Sequence, residues 1–470
     1  MKTPVILVNG QEVYVDSDDN RPIGQLKGKI SSANAQPKSW RRFCQTTTLH
    51  GVRYITKKEY HWCERLIWAV ILTISLFTTA TLIVQSCLRY YYDPTVVYIE
   101  KNYREWEIKF PAITGCFIQR MNLTKAHYFI EETWKTDTNS SSYEKYMDFL
   151  NAVTNTSYKS LNDFKRFIGD EDFSHFSGDD LAKIARRNEM EYYTANGENM
   201  GFFEVITELG LCHTYAGNVS YYLTSNPESP PAFEMMTCNY QTPVCSVRIE
   251  ELPYPIAIYV HSPYEIPAVD QAPLIVAAEH EVDASFIPYE MISAPDLKSL
   301  GISQRKCRFT DEPLPGDKFY SYNMCRMRCR KQAMMQICGC VPFFYAADGV
   351  KMCDVNGLSC LADHVERILR PLDNKTSCGS CLPTCHVVEY SLSNIHTTHW
   401  GFPAPFVIIF RWSIESFPKT RCRRDVLFGI TDLFVSFGGI AALFLGCSLI
   451  SFVEVVDFFI LSHIWNRLKK

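Results

Sequence analysis

Acidic and basic residues nearly cancel in this 470-residue chain, 47 Lys and Arg against 51 Asp and Glu, so no charge excess points to nucleic acid or another strongly charged partner. No internal repeat is visible, so nothing suggests a repeat array. Catalytic motifs are missing too: there is no His/Glu zinc pattern, nucleophile elbow or phosphate loop, and His261, His280 and His396 stand isolated. The chain reads as a non-enzyme with no cofactor and no metal. Charge is absent again from Leu66 to Leu88, 23 residues between Arg65 and Arg89, and from Leu433 to Val453, 21 residues. Each run is long enough to cross roughly 30 Å of hydrocarbon.

Trp62 and Trp68 stand near one end of the first run and Tyr90, Tyr91 and Tyr92 just past the other, where amphipathic rings settle at membrane interfaces. A secretory signal fits this run poorly, because it begins some 65 residues in and lacks a small-residue cleavage site. Flanking positive charge does not orient it: Arg53, Lys57, Lys58 and Arg65 before are matched by Arg89, Lys101, Arg104 and Lys109 after. Glycosylation sequons do. All five, at Asn122, Asn139, Asn155, Asn218 and Asn374, lie between the runs, which puts that loop outside the cell and both tails in the cytosol.

What the chain has in abundance is cysteine, 19 residues, of which fourteen lie between Cys116 and Cys385. Ten nest from Cys307, Cys325, Cys329, Cys338 and Cys340 to Cys353, Cys360, Cys378, Cys381 and Cys385, a ladder that belongs in an oxidising compartment. Zinc-like spacings such as Cys338-Gly339-Cys340 are present, but the compartment and the even count favour disulfides. Cys44, Cys63, Cys87, Cys422 and Cys447 are left free or membrane-embedded. A loop of about 335 residues can build its own core, so the bridges reinforce a fold rather than replace one.

Residues 1 to about 45 are polar and aperiodic and read as a mostly disordered cytosolic arm. Ser160 to Tyr193, with Phe164, Phe167 and Ile168 at helical spacing, suggests a peripheral helical layer. Ile256 to Val260 and His386 to Ser391 read as strands. Tyr320 to Gln336 reads as a helix carrying Cys325 and Cys329 on one face, so their partners come from one short facing segment, which Cys378 and Cys381 supply.

The second apolar run carries the most chemistry. Gly438, Gly439, Ala442 and Gly446 put small residues on adjacent helical turns, which permits close packing. Gly446-Cys447-Ser448 adds a step able to free backbone carbonyls toward a hydrated pathway. Glu454 and Asp457 follow at i, i+3; they mark either the inner interface or, in an oligomer, acidic rings that favour cations.

Read together, these residues resemble the degenerin/epithelial sodium channel family, with the insect pickpocket branch looking closest, over about residues 50 to 460. The resemblance rests on His50-Gly51, on Phe110-Pro111-Ala112-Ile113-Thr114-Gly115-Cys116, on Gly210-Leu211-Cys212-His213-Thr214-Tyr215, and on Gly438-Gly439 through Leu443-Phe444-Leu445-Gly446-Cys447-Ser448 to Glu454. It implies an α+β membrane protein, a trimer like the acid-sensing channels, with two transmembrane helices flanking an extracellular domain of finger, knuckle, palm, β-ball and thumb. The expected limits are a cytosolic arm at 1–64, spans at 65–88 and 426–461, an ectodomain at 89–425 with its thumb near 300–385, and a cytosolic tail at 462–470. By the same resemblance the bridges are Cys116–Cys212, Cys238–Cys245, Cys307–Cys385, Cys325–Cys381, Cys329–Cys378, Cys338–Cys360 and Cys340–Cys353. Gly446, Cys447 and Ser448 would form the selectivity filter and Gly439, Glu454 and Asp457 the cation pathway, with His50, Gly51 and Val435 or Ser436 acting in gating. Acid-sensing relatives place a Trp shortly before the first thumb cysteine; Ser303, Gln304, Arg305 and Lys306 stand there here.

The function implied is an amiloride-sensitive, sodium-selective channel subunit in the plasma membrane, permeated by Na⁺, gated by an unidentified extracellular stimulus, and assembled as a homo- or heterotrimer amid membrane lipid. Two alternatives are a trimeric ATP-gated type of channel and a non-conducting receptor or auxiliary subunit.

Overall fold

The computed structural model describes residues 5–8, 11–14, 43–44, 47–190, 202–219, 236–241, 245–252, 254–345, 349–369, 381–399 and 408–461. The chain divides into two compact units, one of Met1–Tyr90 with Ile430–Lys470 and one of Tyr91–Gly429.

Strands β1 (Val5–Val8) and β2 (Gln11–Tyr14) pair antiparallel, Val8 opposite Gln11. Asn9-Gly10 between Val5–Val8 and Gln11–Tyr14 is a two-residue turn signal in the sequence that an eye on overall polarity passes over. A short helix α1 (Val52–Thr56) precedes α2 (Trp62–Tyr92), whose 31 residues rise roughly 46 Å. Leu66, Phe77 and Val84 are more than half exposed along it, as suits a surface facing hydrocarbon. Thr73, Thr78, Thr79 and Ser86 return their hydroxyls to carbonyls three or four residues back in the same helix, so none needs water.

Among its described residues the second unit holds two large sheets and a two-stranded one. One is five-stranded in the order β11 (Leu274–Val276), β10 (Ile256–His261), β5 (Ala112–Phe117), β7 (Gly210–Tyr215), β6 (Phe203–Thr207). The two motif segments around Cys116 and Cys212 are thus neighbours, bridged at a Cα separation of 4.4 Å. The other runs β3 (Thr95–Glu100), β15 (Arg421–Val426), β12 (His280–Ser293), β14 (Ile408–Ile414), β9 (Cys245–Leu252), with β13 (Val387–His399) along the other side of β12. Strand β4 (Glu107–Lys109) pairs β8 (Thr237–Asn239) apart from both. One core draws on both large sheets, with Ile113, Ile258, Phe286 and Phe410 buried around Trp412, whose indole N–H donates to the Pro111 carbonyl at 3.2 Å. At one end of the larger sheet Arg421 and Arg423 both reach Glu100 across the β3–β15 ladder, at 2.9 and 3.0 Å.

A second core is aromatic and helical. Helices α3 (Leu123–Trp134), α4 (Tyr143–Thr154) and α5 (Gly178–Arg187) enclose Phe149, Phe164 and Phe173, and Trp134 stacks on Tyr146 at 4.5 Å. Within the helical layer expected around Ser160 to Tyr193 the described residues form a 3-10 turn at Leu161–Phe167, a short helix at Glu171–Ser174, and α5. Ile168 is half exposed, and Tyr193 lies outside the described residues.

Helix α6 (Tyr322–Cys338) starts two residues later than expected because Ser321 caps it. Half-buried Glu265 accepts from the Tyr322 and Asn323 amides at 3.0 and 3.1 Å, placing a carboxylate at the positive end of the helix. Arg330 on α6 forms a fork with Glu208 from the β6–β7 turn, both side chains no more than 3% exposed, and Tyr345 donates to the same carboxylate. Five more bridges join Cys238–Cys245, Cys307–Cys385, Cys325–Cys381, Cys338–Cys360 and Cys340–Cys353. Cys378, named as the partner of Cys329, falls outside the described residues. The Cys338–Cys360 rung ties α6 to α7 (Val355–Asp363). Free thiols are Cys44, Cys63, Cys87, Cys422 and Cys447.

Among the described residues α2 alone is long and apolar enough to cross a membrane by itself. The run expected as one span from Leu433 to Val453 is two helices, α8 (Ile430–Leu445) and α9 (Leu449–Val456), followed by a π-helical turn at Asp457–Leu461. At 16 residues α8 rises only about 24 Å.

Candidate functional site

The interruption between α8 and α9 is written in three residues. Gly446 takes φ +62°, in the left-handed region that ends helices, and its amide bonds Ala442 O at 3.1 Å while the Cys447 amide reaches Ala441 O at 3.2 Å. Ser448 then restarts the helix as an N-cap: its Oγ accepts from the Ser451 amide and Ser451 Oγ accepts from the Ser448 amide, each at 3.3 Å. Stop and start signals thus sit back to back. The last carbonyls of α8 lose their partners in the next turn, which leaves them to other ligands.

One of those carbonyls is taken by a segment distant in sequence. The His50 amide donates to Leu445 O at 3.2 Å, and the imidazole lies so close to Gly446 that a Cβ there would come within 1.8 Å of Nδ1. Gly446 is therefore required twice, for its φ and for its missing side chain. Gly51 has φ +82° and leads directly into α1, so His-Gly is a bend that presents the imidazole to the interruption.

Below the interruption, Thr48 Oγ1 donates to Glu454 Oε2 at 2.7 Å and its amide approaches the same oxygen at 3.3 Å. Thr48 Oγ1 also lies 3.0 Å from Ser451 Oγ. Glu454 is thus held by Thr48, whereas Asp457, three residues on, is exposed at the start of the π-helical turn. Gly446 lies beyond the end of α8 and so does not share a helical face with Gly438, Gly439 and Ala442, contrary to the packing stripe read from the sequence. Gly439 has open space around it, Val435 is 74% exposed and Ser436 half-buried. An apolar cavity of about 830 Å³ separates the helices, walled by Leu72, Leu76, Phe437, Ala441 and Leu445, with His50 at its edge.

Thr48 and Ser451 were missed in the sequence. Ser451 was legible as the fourth residue of a Ser-x-x-Ser capping box; Thr48, one of three consecutive threonines, carried no signal of its own. Of the sequon asparagines, Asn139 and Asn218 are exposed and Asn122 and Asn155 half-buried, while Asn374 lies outside the described residues. The Asn155 amide nitrogen, the atom a glycan would use, donates to Asn151 Oδ1 at 2.7 Å.

His261 is buried between Thr114 Oγ1 and the Ser262 carbonyl, and burial brings it down to about 4. It is a structural residue. His280 is not isolated, since His399 stands opposite it across β12 and β13.

A family model described as "Amiloride-sensitive sodium channel" matches residues 43–458. Similar proteins include "Sodium channel protein Nach" of Drosophila melanogaster, 22% identical with 90% of this chain and 87% of that protein covered. "Pickpocket protein 28" of the same species is 21% identical, covering 94% and 80%. "Bile acid-sensitive ion channel" of Mus musculus is 22% identical, covering 94% and 92%.

Proposed function

Because the chain belongs to the amiloride-sensitive sodium channel family, plasma-membrane ion channels rather than enzymes, assembled from related subunits, we propose that it is a sodium-preferring, amiloride-sensitive subunit of a trimer. Its two apolar stretches cross the membrane, with Tyr91–Gly429 outside and both tails in the cytosol.

The observation that carries this reading is the interruption at Gly446-Cys447-Ser448 with His50 seated against it. Irregular backbone is tolerated at membrane depth only where protein or water receives its polar groups. Three copies of the interruption around one axis would present a ring of carbonyls and Ser448 hydroxyls, the chemistry that replaces a cation's water shell. Na⁺ passes that ring. His50 supports it from the cytosolic side, and Thr48 holds Glu454 below it. An extracellular stimulus moves the disulfide-braced segment, and the movement reaches the outer end of α8, where Val435 and Ser436 are placed to act in opening.

The test is whole-cell current from cells expressing the chain with Val435→Phe or Ser436→Phe, under sodium replacement and amiloride. A constitutive, amiloride-blocked sodium current supports the reading. No current, with surface protein verified and related subunits supplied, counts against a conducting role.

A further inference from the structure

Of the six described bridges, Cys338–Cys360 is the one in which both cysteines are half-buried; each of the others has at least one cysteine buried. The rung nested inside it, Cys340–Cys353, is packed into the aromatic core. While that inner rung stands, the outer one closes only the short stretches 338–340 and 353–360, so the ends of α6 and α7 stay tied without it. A bridge that solvent reaches and the fold can spare is the kind that exchanges with external thiols.

His364 completes the group. One of its ring nitrogens and the sulfurs of Cys338 and Cys360 all lie within 4.8 Å of one another, the only such set of three His, Cys, Asp or Glu residues among the described residues. Cys360 and His364 stand at i, i+4 on one face of α7, a spacing that structural zinc sites use. His364 Nδ1 lies 2.9 Å from the Cys360 carbonyl, which can only accept, so in the neutral ring Nδ1 carries the proton and Nε2 keeps the lone pair. A backbone carbonyl fixing one ring nitrogen so that the other is free is how metal-binding histidines are oriented. Cys338 is the last residue of α6 and His364 directly follows the last residue of α7, so two helix C-termini, the negative ends of their dipoles, meet at the group. Such a place opposes bare thiolates and favours a cation beside them. Two thiolates each about 2.3 Å from a tetrahedral zinc ion sit about 3.8 Å apart, a spacing that side-chain rotation supplies once the sulfurs are no longer bonded.

We propose that the Cys338–Cys360 bridge is a redox-gated metal site: an external dithiol opens it, and the two thiolates with His364 then hold a divalent cation of the zinc class, water filling the fourth position. The dithiol gives two electrons and two protons and leaves as its own disulfide, while Cys338 and Cys360 become thiols; the arriving cation displaces those two protons to solvent. A covalent tie between α6 and α7 is thereby exchanged for a coordinate one. The proposal rests on this geometry and stands or falls independently of ion conduction.

To test it, the detergent-solubilised full-length chain, free of any polyhistidine tag and with its free thiols blocked by N-ethylmaleimide, is treated with graded dithiothreitol and desalted without oxygen. One portion receives isotopically heavy N-ethylmaleimide and the other Zn²⁺. Peptide mass spectrometry should find Cys338 and Cys360 labelled at a lower dithiothreitol concentration than Cys340 and Cys353. The zinc portion should keep one equivalent of metal through a second desalting, with zinc-edge X-ray absorption reporting two sulfur neighbours and the rest nitrogen or oxygen. His364→Ala should bind zinc at least about tenfold more weakly, and Cys338→Ser/Cys360→Ser should keep none. The labelling and absorption measurements use the parent chain and need no variant to fold. Opening of Cys338 and Cys360 no sooner than Cys340 and Cys353, no zinc kept after they open, or parental zinc binding in either variant overturns the proposal.

Discussion

Inside Tyr91–Gly429 the decisive groups are buried charges that have found partners, whereas in the helical unit they are backbone groups released from theirs. Arg330 and Glu208 are almost wholly enclosed, and the arginine fork and the Tyr345 hydroxyl satisfy the carboxylate in full. At Gly446 the opposite holds. A helix stops, and a residue more than 390 positions earlier in the chain, His50, supplies a partner for Leu445 O. The first arrangement resists rearrangement because separating the charges is costly. The second trades helical hydrogen bonds for accessible carbonyls, useful only if something is to bind them. Substitutions in the first region should therefore act on folding, and those in the second on current at unchanged surface delivery.

The largest expected effect comes from Arg330→Met, which strands Glu208 without its fork and should cost about 3–5 kcal/mol. Retention inside the cell, read by surface biotinylation, is the expected outcome; normal delivery would erase the contrast.

A pH dependence follows next. Glu189, at the end of α5, is pushed up to about 8 by burial and then by the like charge of Glu204, against the opposing pull of Arg120, Lys125 and Arg186. A carboxyl raised in the folded state contributes stability that is whole below its ordinary 4.5 and is lost as pH rises through about 8. The slope is no steeper than about 1.4 kcal/mol per pH unit, and Glu189→Gln should flatten the melting temperature between pH 4.5 and about 8. His213 and His261 act on the other side. Burial lowers both to about 4, so their stabilisation is present above 6.5 and is lost as pH falls toward 4, in the parent chain and in Glu189→Gln alike.

In the helical unit, Gly446→Ala forces a side chain into the left-handed region, costing about 1–2 kcal/mol, and into His50 as well. Current should fall at least about tenfold with surface protein unchanged. Thr48→Val removes one hydrogen bond to Glu454, worth about 1 kcal/mol, and should shift open probability only modestly in single-channel records.

The legible parts of the chain were those whose signals are local. Ile256 to Val260 became β10 because a β-branched run between prolines has few other options, and Ser321 set the start of α6 two residues beyond the estimate. Gly446-Cys447-Ser448 drew attention because glycine and serine in an apolar helix are a stop and a start. What stayed hidden was non-local. Nothing at residue 50 says that its ring will abut residue 446, and nothing at Glu208 names Arg330. The helical spacing of Phe164, Phe167 and Ile168 pointed to a helical layer but not to its subdivision, a 3-10 turn that stops before Gly169 and short helices after it. The pairing of β1 with β2 was local and overlooked, since a polar composition outweighed the Asn9-Gly10 turn signal in the sequence.

The most direct test of the central claim is the reversal potential under opposed Na⁺ and K⁺ solutions, recorded in the Val435→Phe or Ser436→Phe background with Ser448→Ala added and, for comparison, with Thr81→Ala on the exposed face of α2. The account predicts that Ser448→Ala moves the reversal potential toward that of a pore that no longer prefers Na⁺, while Thr81→Ala leaves it in place. Equal behaviour of the two variants, with current and surface protein intact, would contradict the assignment of ion selection to the interruption at Gly446-Cys447-Ser448.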